Sequence, residues 1–250
     1  MKRKKLSDAD SASGASCWIH NRLLASLKPH DRALLEPFIE TVALRRGEVL
    51  SEPGENVVCT HFPGPGSMVS LVLSMRDGRT IEAATIGREG VIGGIVSTGH
   101  KPAFARVIVQ IGGAALRLET ARLEEAKKRS ASLRDLFNRY ADALLAQVLQ
   151  SVACNALHTI EERCSRWLLI AADRVAGSHI LLTQEFLAEM LGVQRTTVSS
   201  AAQRLQRKGL IKYSRGRITI SDRNGLEEAA CECYVAVEKH VRAVFSETKP

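Results

Sequence analysis

The segment from Thr183 to Ile220 joins two short helical patterns to a β-hairpin pattern, and it restricts the fold more than any other stretch of the chain. Apolar residues recur at helical spacing after Thr183, whose hydroxyl suits the capping of free backbone amides. This helix is expected to end at Gly192, a residue suited to a left-handed turn. A second helix follows directly, and two short alternating runs follow Gly209 around a turn at 214–217. The order of these elements predicts a winged helix-turn-helix.

The second helix of this module has one apolar and one polar face. Its apolar residues are Val198, Ala201, Ala202 and Leu205. The opposite face begins at Arg195 and carries short polar side chains, which fit a groove of DNA. An ordinary helical hairpin followed by a β-hairpin has the same element order, but the stretch from Thr183 to Gly225 holds eight cations against three acidic residues. Such a surface suits a polyanion, because neutralised phosphates release condensed counterions.

Candidate contacts with double-stranded DNA follow from this reading. Arg195 can bind the O6 and N7 atoms of guanine, whereas Thr196 and Ser200 offer only a methyl contact or a weak hydroxyl bond. The expected base contacts are Arg195, Thr196, Ser199 and Ser200. The expected phosphate contacts are Thr183, Gln184, Gln194, Lys208, Lys212, Arg215 and Arg217.

Composition supports a nucleic-acid partner and a cytoplasmic location. The chain has 250 residues, a formal net charge of +8 and an isoelectric point near 9.4. No apolar run approaches the length of a membrane span, and the basic start of the chain has no apolar stretch behind it, so no signal peptide or membrane contact is expected. Six cysteines in a chain of this length are not expected to form a disulfide framework, which leaves free thiols and metal ligands as the alternatives weighed below.

The rest of the chain divides by its hydrophobic pattern. Residues 1–17 read as a disordered basic tail and 18–131 as an antiparallel β domain, in which two short helices precede many short strands. Gly and Pro separate these strands, and Asp77-Gly78 is a strong hairpin signal. A sandwich or barrel and an overall α+β class are therefore predicted. Residues 132–175 read as a long helix and a hinge helix, and 176–250 as the winged module with a C-terminal helix.

The long helix is predicted from Ser132 to about His158, a stretch free of Gly and Pro. Its apolar stripe is wider than contact with one neighbour requires, which favours a two-fold dimer axis. Packing on the β domain alone is the alternative. The expected dimer contacts are Leu133, Phe137, Tyr140, Leu144 and Val148.

The order of β-roll, long helix and winged helix-turn-helix resembles the Crp/Fnr family of bacterial transcription regulators over about 31–220. The most specific match is LTQEFLAEMLGVQRTTV, Leu182 to Val198, which includes a recognition helix beginning Arg-x-Thr-Val. The resemblance implies a jelly-roll-like sensor domain related to cyclic-nucleotide-binding domains, a homodimer on a palindromic operator, and RNA polymerase as a partner. Thr196 and Ser200 stand where members with the best-known operators carry an acidic residue and a second Arg, so a different operator is expected.

The same resemblance argues against a cyclic nucleotide as the effector. Family members that bind one use a Gly-Glu pair on the ribose and an Arg followed by Ser or Thr on the phosphate, and the stretches 87–90 and 101–106 have neither. Glu89, Lys101 and Arg106 remain candidates for another effector pocket, with a solvated strand edge as the alternative for each.

No cofactor or metal ligand is expected from the cysteines. Iron-sulfur members carry closely spaced cysteines near the amino terminus, where this chain has only Cys17. A soft-metal site from Cys231, Cys233 and His240 matches no usual zinc spacing, and buried thiols are the favoured reading. Cys154 and Cys164 flank the hinge, so a thiol- or metal-responsive regulator is the alternative function.

Motifs of hydrolases, metalloproteases and phosphate-binding enzymes are absent from the sequence, so the chain is not expected to be an enzyme. A rival from another class is a regulatory β-roll that controls a partner protein. That rival predicts binding insensitive to salt, whereas contact with DNA phosphates predicts a steep salt dependence.

Overall fold

The computed structural model describes residues 18, 20–95, 101–175, 177, 179–214 and 216–245. The predicted tail at 1–17 and the candidate phosphate contact Arg215 lie outside the described residues. Within the described part, none of the helices is both long and apolar enough to cross a membrane.

The β domain consists of two antiparallel sheets, as predicted. Its strands are β1 (Glu40–Leu44), β2 (Val49–Ser51), β3 (Cys59–Pro63), β4 (Met68–Ser74), β5 (Thr80–Ile86), β6 (Arg106–Ile111) and β7 (Gly113–Glu119). One sheet has the order β1-β7-β3 and the other β2-β6-β4-β5. The predicted hairpin is confirmed, since Gly78 N donates to the Met75 carbonyl between β4 and β5. Side chains from both sheets, Leu44 and Ala115 from one and Val69 and Val109 from the other, share a buried core.

Strand β4 divides two cores because its side chains alternate between the faces of the sheet. Val69 packs in the core between the two sheets, and Leu71 beside it lines a cavity there. Met68 and Val72 point the other way and belong to the core of the C-terminal module. The sheet is therefore covered on both faces.

Helices before and after the strands pack on the sheet β1-β7-β3, and the last of them, α4, continues along the β domain. They are α1 (Arg22–Ala25), α2 (Pro29–Leu35), a short 3-10 turn (Glu36–Phe38), α3 (Thr120–Arg129) and α4 (Ala131–Leu157). Ser130 caps α4, since its hydroxyl accepts a hydrogen bond from Leu133 N at 3.2 Å. The helix runs uninterrupted to Leu157, which confirms the long helix predicted from the sequence.

The prediction of dimer contacts on α4 is wrong for the residues in the first half of the helix. Leu133, Phe137 and Tyr140 are at most 4% exposed and pack in the core of the first sheet, so this chain already covers them. Leu144 and Val148 line the cavity of the β domain. The exposed apolar residues of α4 lie on another face and are Leu145, Leu149, Val152 and Leu157. Periodicity alone detects a broad apolar surface but does not show which part of it the β domain covers.

The C-terminal part is a winged helix-turn-helix with two further helices. Its elements are α5 (Ile160–Val175), β8 (His179–Leu181), α6 (Gln184–Leu191), α7 (Arg195–Arg207), β9 (Ile211–Ser214), β10 (Arg217–Ile220), α8 (Arg223–Glu228) and α9 (Cys233–Phe245). The sheet has the order β8-β10-β9. Helix α5 contributes Trp167, Leu168 and Leu169 to the module's core. Helix α9 returns along the long helix α4, which it contacts extensively.

Candidate nucleic-acid interface

Helix α6 begins and ends at the predicted residues. Thr183 accepts a hydrogen bond from Phe186 N at 3.3 Å through its hydroxyl, and Gly192 follows the helix with φ +64°. A Cβ at Gly192 would lie 3.0 Å from the Ile81 side chain of β5. The positive φ and this close approach both favour glycine, which allows α7 to follow after a tight turn.

Helix α7 buries one face and exposes the other, as predicted. Val198, Ala202 and Leu205 are at most 1% exposed, whereas Arg195 and Ser200 lie on the exposed face. Thr196 is exposed beside Arg195. These three predicted base contacts therefore share one accessible surface at the start of the helix. Their side chains can supply a cation, a methyl group and hydroxyl donors to base edges.

Ser199, the fourth predicted base contact, is engaged within the module. Its hydroxyl lies 2.6 Å from Gln184 Oε1 and 2.9 Å from the Arg195 carbonyl. Ser199 is half-buried, and its bond to Gln184 links the start of α6 to α7. Two residues predicted separately as base and phosphate contacts thus form a hydrogen bond with each other between the two helices.

The predicted phosphate contacts fall into two groups. Thr183 and Gln194 are exposed at the two helix starts, and Lys212 and Arg217 are exposed on the wing strands β9 and β10. Lys208 differs, because its ammonium lies 2.6 Å from Glu161 Oε1 on α5. A phosphate would have to compete with this carboxylate for Lys208.

Glu161 also binds Arg204, whose Nε lies 2.6 Å from Glu161 Oε2. Hydrogen bonds from Lys208 and Arg204 hold the pKa of the Glu161 carboxyl below its usual value. Sequence reasoning missed this triad because its members come from helices more than 40 residues apart along the chain. It attaches the recognition helix α7 to α5.

The β domain forms an open cavity of about 880 Å³. Its lining is largely apolar and includes Leu71, Phe104 and, from the long helix, Leu144. His61 and Arg117 also line it. The pKa of His61 is lowered to about 4, chiefly by burial and further by the charge of Arg117.

The three predicted effector-pocket residues do not assemble in this cavity. Arg106 Nε lies 3.1 Å from Glu52 Oε1 at the surface, and Lys101 lies in the preceding loop. Glu89 is elsewhere, with its Oε1 2.8 Å from Nε of Arg174. Among the described residues, the three side chains therefore do not line one pocket, because Glu89 and Lys101 lie in separate loops and Arg106 is part-exposed on β6, which agrees with the alternative of a solvated strand edge for Arg106.

Arg174 connects three parts of the molecule. Besides binding Glu89, it donates through Nη2 to Gln147 Oε1 of the long helix at 3.0 Å. Gln147 in turn donates to the Thr85 carbonyl of β5 at 3.1 Å. A Cβ at Gly87 would approach the Arg174 Cβ to 2.5 Å. Arg174 at the end of α5 therefore links the winged module, the long helix and the β domain.

The cysteines do not follow the predicted grouping. Cys164 lies fully buried in the core of the module, and burial raises the pKa of its thiol to about 12. Cys154, Cys231 and Cys233 instead form a separate buried cluster. His240 is exposed, and the imidazole near these thiols belongs to His158.

Comparisons with known proteins support both parts of the architecture. The family model of the Crp-like helix-turn-helix domain matches residues 162–229. Curated protein sequences give no match. The structure of FixK2 from Bradyrhizobium japonicum superposes with a TM-score of 0.67 at 18% identity, covering 77% of this chain and 98% of that one.

Two further solved structures have the same fold. A transcriptional regulator of the CRP family from Thermus thermophilus gives a TM-score of 0.62 at 20% identity, covering 76% of this chain and 96% of that one. The c-di-GMP-responsive global regulator CLP from Xanthomonas campestris gives 0.60 at 12% identity, with coverages of 77% and 99%.

At these identities the structural matches establish the fold, and the family model adds the nature of the C-terminal domain. The matched segment begins within α5, which agrees with the place of that helix in the module's core. The resemblance inferred from the sequence is thereby confirmed. The chain has the fold of the Crp/Fnr-type regulators and, over residues 162–229, a Crp-like helix-turn-helix domain.

Proposed function

We propose that this chain acts as a homodimer that binds a palindromic operator through two copies of α7. The observation that carries the proposal is the exposed polar face of α7, on which Arg195 and Thr196 stand at the amino-terminal end while the apolar face is buried. Lys212 and Arg217 on the wing extend the cationic surface beside it. Arg195 specifies a guanine, and the wing cations bind phosphates without regard to sequence.

The exposed stripe of α4 supplies the dimer contact in this proposal. Leu145, Leu149 and Val152 are 56%, 61% and 65% exposed and follow one another at helical spacing. Large apolar side chains in a row at the surface are typical of a protein interface. In this proposal two copies of the stripe pack about a two-fold axis, and the two α7 helices bind successive half-sites of the operator.

The effector in this proposal enters the cavity of the β domain and is not a cyclic nucleotide. Arg117 is the one cation among the cavity's described lining residues, and its guanidinium is already paired with Glu40. Glu48 and Glu55 also line the cavity. A phosphodiester needs an available cation and oriented donors, so this lining favours a largely apolar ligand. RNA polymerase is the partner we propose once the dimer is on its operator.

The test is selection of bound duplexes from a random pool by the purified full chain, without added ligand and under reducing conditions. We expect enrichment of a two-fold palindrome. Affinity for that duplex is expected to fall with salt at a log-log slope of about −5, as neutralisation of about six phosphates requires.

The rival role, control of a partner protein, makes the opposite prediction. A chain that enriches no sequence and whose residual DNA binding does not change with salt would contradict the DNA-binding proposal. Salt-sensitive DNA binding without enrichment of any sequence would contradict ligand-independent binding to an operator. It would indicate that the chain needs an effector to bind a specific sequence.

A further inference from the structure

Four potential metal ligands meet where the long helix ends. Cys154 lies in the last turn of α4, and His158 directly follows that helix. Cys231 and Cys233 lie at the start of α9, after the winged module. The sulfur atoms and an imidazole nitrogen all lie within 4.8 Å of one another. The three cysteines are at most 3% exposed, so bulk solvent does not reach the cluster's thiol side.

Distances within the cluster suit a small tetrahedral ion. The sulfurs of Cys154 and Cys231 are 3.5 Å apart, and the sulfur of Cys233 is 3.5 Å from Nδ1 of His158. Zinc bonds of about 2.3 Å to sulfur and about 2.0 Å to nitrogen place tetrahedral ligand atoms roughly 3.5 to 3.8 Å apart. Two ligand pairs already have this spacing, and because all four ligand atoms lie within 4.8 Å of one another, shifts of about 1 Å or less would surround an ion.

The imidazole of His158 is held in the orientation that such an ion requires. Its Nε2 lies 3.2 Å from Oε2 of Glu232, which leaves Nδ1 directed at the thiols. A carboxylate on the second ring nitrogen is the usual partner of a metal-bound histidine, because it fixes the tautomer. Gln150 also donates to the Cys233 sulfur at 3.0 Å, a contact that stabilises a thiolate.

We propose that Cys154, His158, Cys231 and Cys233 bind one zinc ion. Three soft sulfur ligands and one imidazole select zinc among the divalent ions, and a set of four protein ligands leaves no open position for a substrate. The three thiols release their protons to solvent on binding, so the occupied site carries a net charge of −1. Arg163 and Arg166 are buried beside Cys154 and offset this charge.

The site fastens the C-terminal helix to the long helix. Its ligands come from α4 and from the segment that enters α9, and these two helices already pack along each other. Val152 and Leu149 of the exposed stripe lie in the last turns of α4, next to Cys154. Zinc therefore fixes the end of the helix on which the stripe lies. This inference does not depend on the operator or the effector.

The direct test is the zinc content of the full chain, purified without a histidine tag or chelator and measured by inductively coupled plasma mass spectrometry. We expect about one zinc per chain, as a closed four-ligand site requires. Cys231→Ser and His158→Gln should each lower this content severalfold. Cys59→Ser and His240→Gln are matched controls, since both residues lie outside the cluster, and they should retain the metal.

A second test is insensitive to misfolding of the thiol variants. Glu232 is 78% exposed, so Glu232→Gln leaves the fold intact but removes the partner of His158. Zinc affinity, measured by competition with a chromophoric chelator, should fall about 10- to 100-fold. Glu238→Gln, within α9, should leave the zinc affinity unchanged. Cobalt(II) added to the metal-free chain should give the visible absorption of a tetrahedral thiolate site.

Three results would overturn the proposal. The first is a reduced wild-type chain that neither contains nor takes up zinc. The second is zinc content that is unaffected by both Cys231→Ser and His158→Gln. The third is a freshly isolated chain with a disulfide between Cys154 and Cys231 and no metal, which would make the cluster a redox pair.

Discussion

Arg195 stands at the first position of α7 with its side chain exposed, and it has no ion pair among the described residues. Arg204, further along the helix, and Lys208, which directly follows it, are both paired with Glu161. Of these three cations, Arg195 therefore reaches a base without breaking an existing contact. Its position at the amino-terminal end matches the end of a recognition helix that enters the major groove.

Replacing Arg195 by Ala is expected to cost about 1–3 kcal/mol of binding free energy on the selected duplex and to relax preference at one base pair. Arg217→Ala on the wing should weaken all duplexes alike, because it removes a phosphate contact. Fluorescence anisotropy on selected and scrambled duplexes checks both variants. Equal losses on the two duplexes for Arg195→Ala would disprove its role as a base reader.

Residue-scale prediction from the sequence succeeded where the information is local. The spacing of Val198, Ala202 and Leu205 fixes which face of α7 is buried, and hence that Thr196 and Ser200 are exposed. Contacts between segments that are distant in the sequence could not be predicted from such local spacing. The partners of Lys208 and of Cys231 lie 47 and 77 residues away, and no local periodicity encodes such pairs.

The long helix α4 contacts different parts of the structure along its length. Its first half packs in the core of the β domain, Leu144 and Val148 face the cavity, and Leu149 lies on the exposed stripe. The helix and its length could be predicted, since a run without Gly or Pro and with an apolar period is a strong signal. The division of its faces could not, because it depends on where the sheets lie.

The exposed stripe gives a prediction for the oligomeric state. Leu149→Asp should raise the dimer dissociation constant at least tenfold, because association would bury an unpaired carboxylate. Analytical ultracentrifugation checks this result. Leu149 is 61% exposed, so the fold should persist, as circular dichroism would verify. Met75→Asp, at a comparably exposed apolar site in a hairpin, is the control. A Leu149→Asp chain that remains dimeric would place the interface elsewhere.

The stability of the whole molecule depends on pH through His61, which is 7% exposed in the β domain. Its pKa in the folded chain is about 4, against 6.5 when unfolded, mainly because burial disfavours the charged ring. Between these pH values the unfolded chain binds a proton that the folded chain does not. The free energy of unfolding must therefore fall as pH drops from 6.5 towards 4, by up to about 3 kcal/mol.

His61→Asn should remove this contribution and flatten the dependence of the unfolding free energy on pH over that interval. Urea denaturation at several pH values measures it. His240→Asn, at an exposed position, should leave the dependence as in the wild type. Identical slopes for His61→Asn and wild type would show that His61 is accessible to protons in the folded chain.

Strand β4 has a consequence for how the molecule can respond to a ligand. Leu71 and Leu73 of this strand line the cavity, whereas Met68 and Val72 are packed into the core of the winged module, which the strand shares with α5. In the proposed function, a ligand that displaces β4 would also displace Met68 and Val72 and so alter the packing of the winged module directly. The proposed effector cavity and the core of the winged module are therefore neighbours on opposite faces of one sheet.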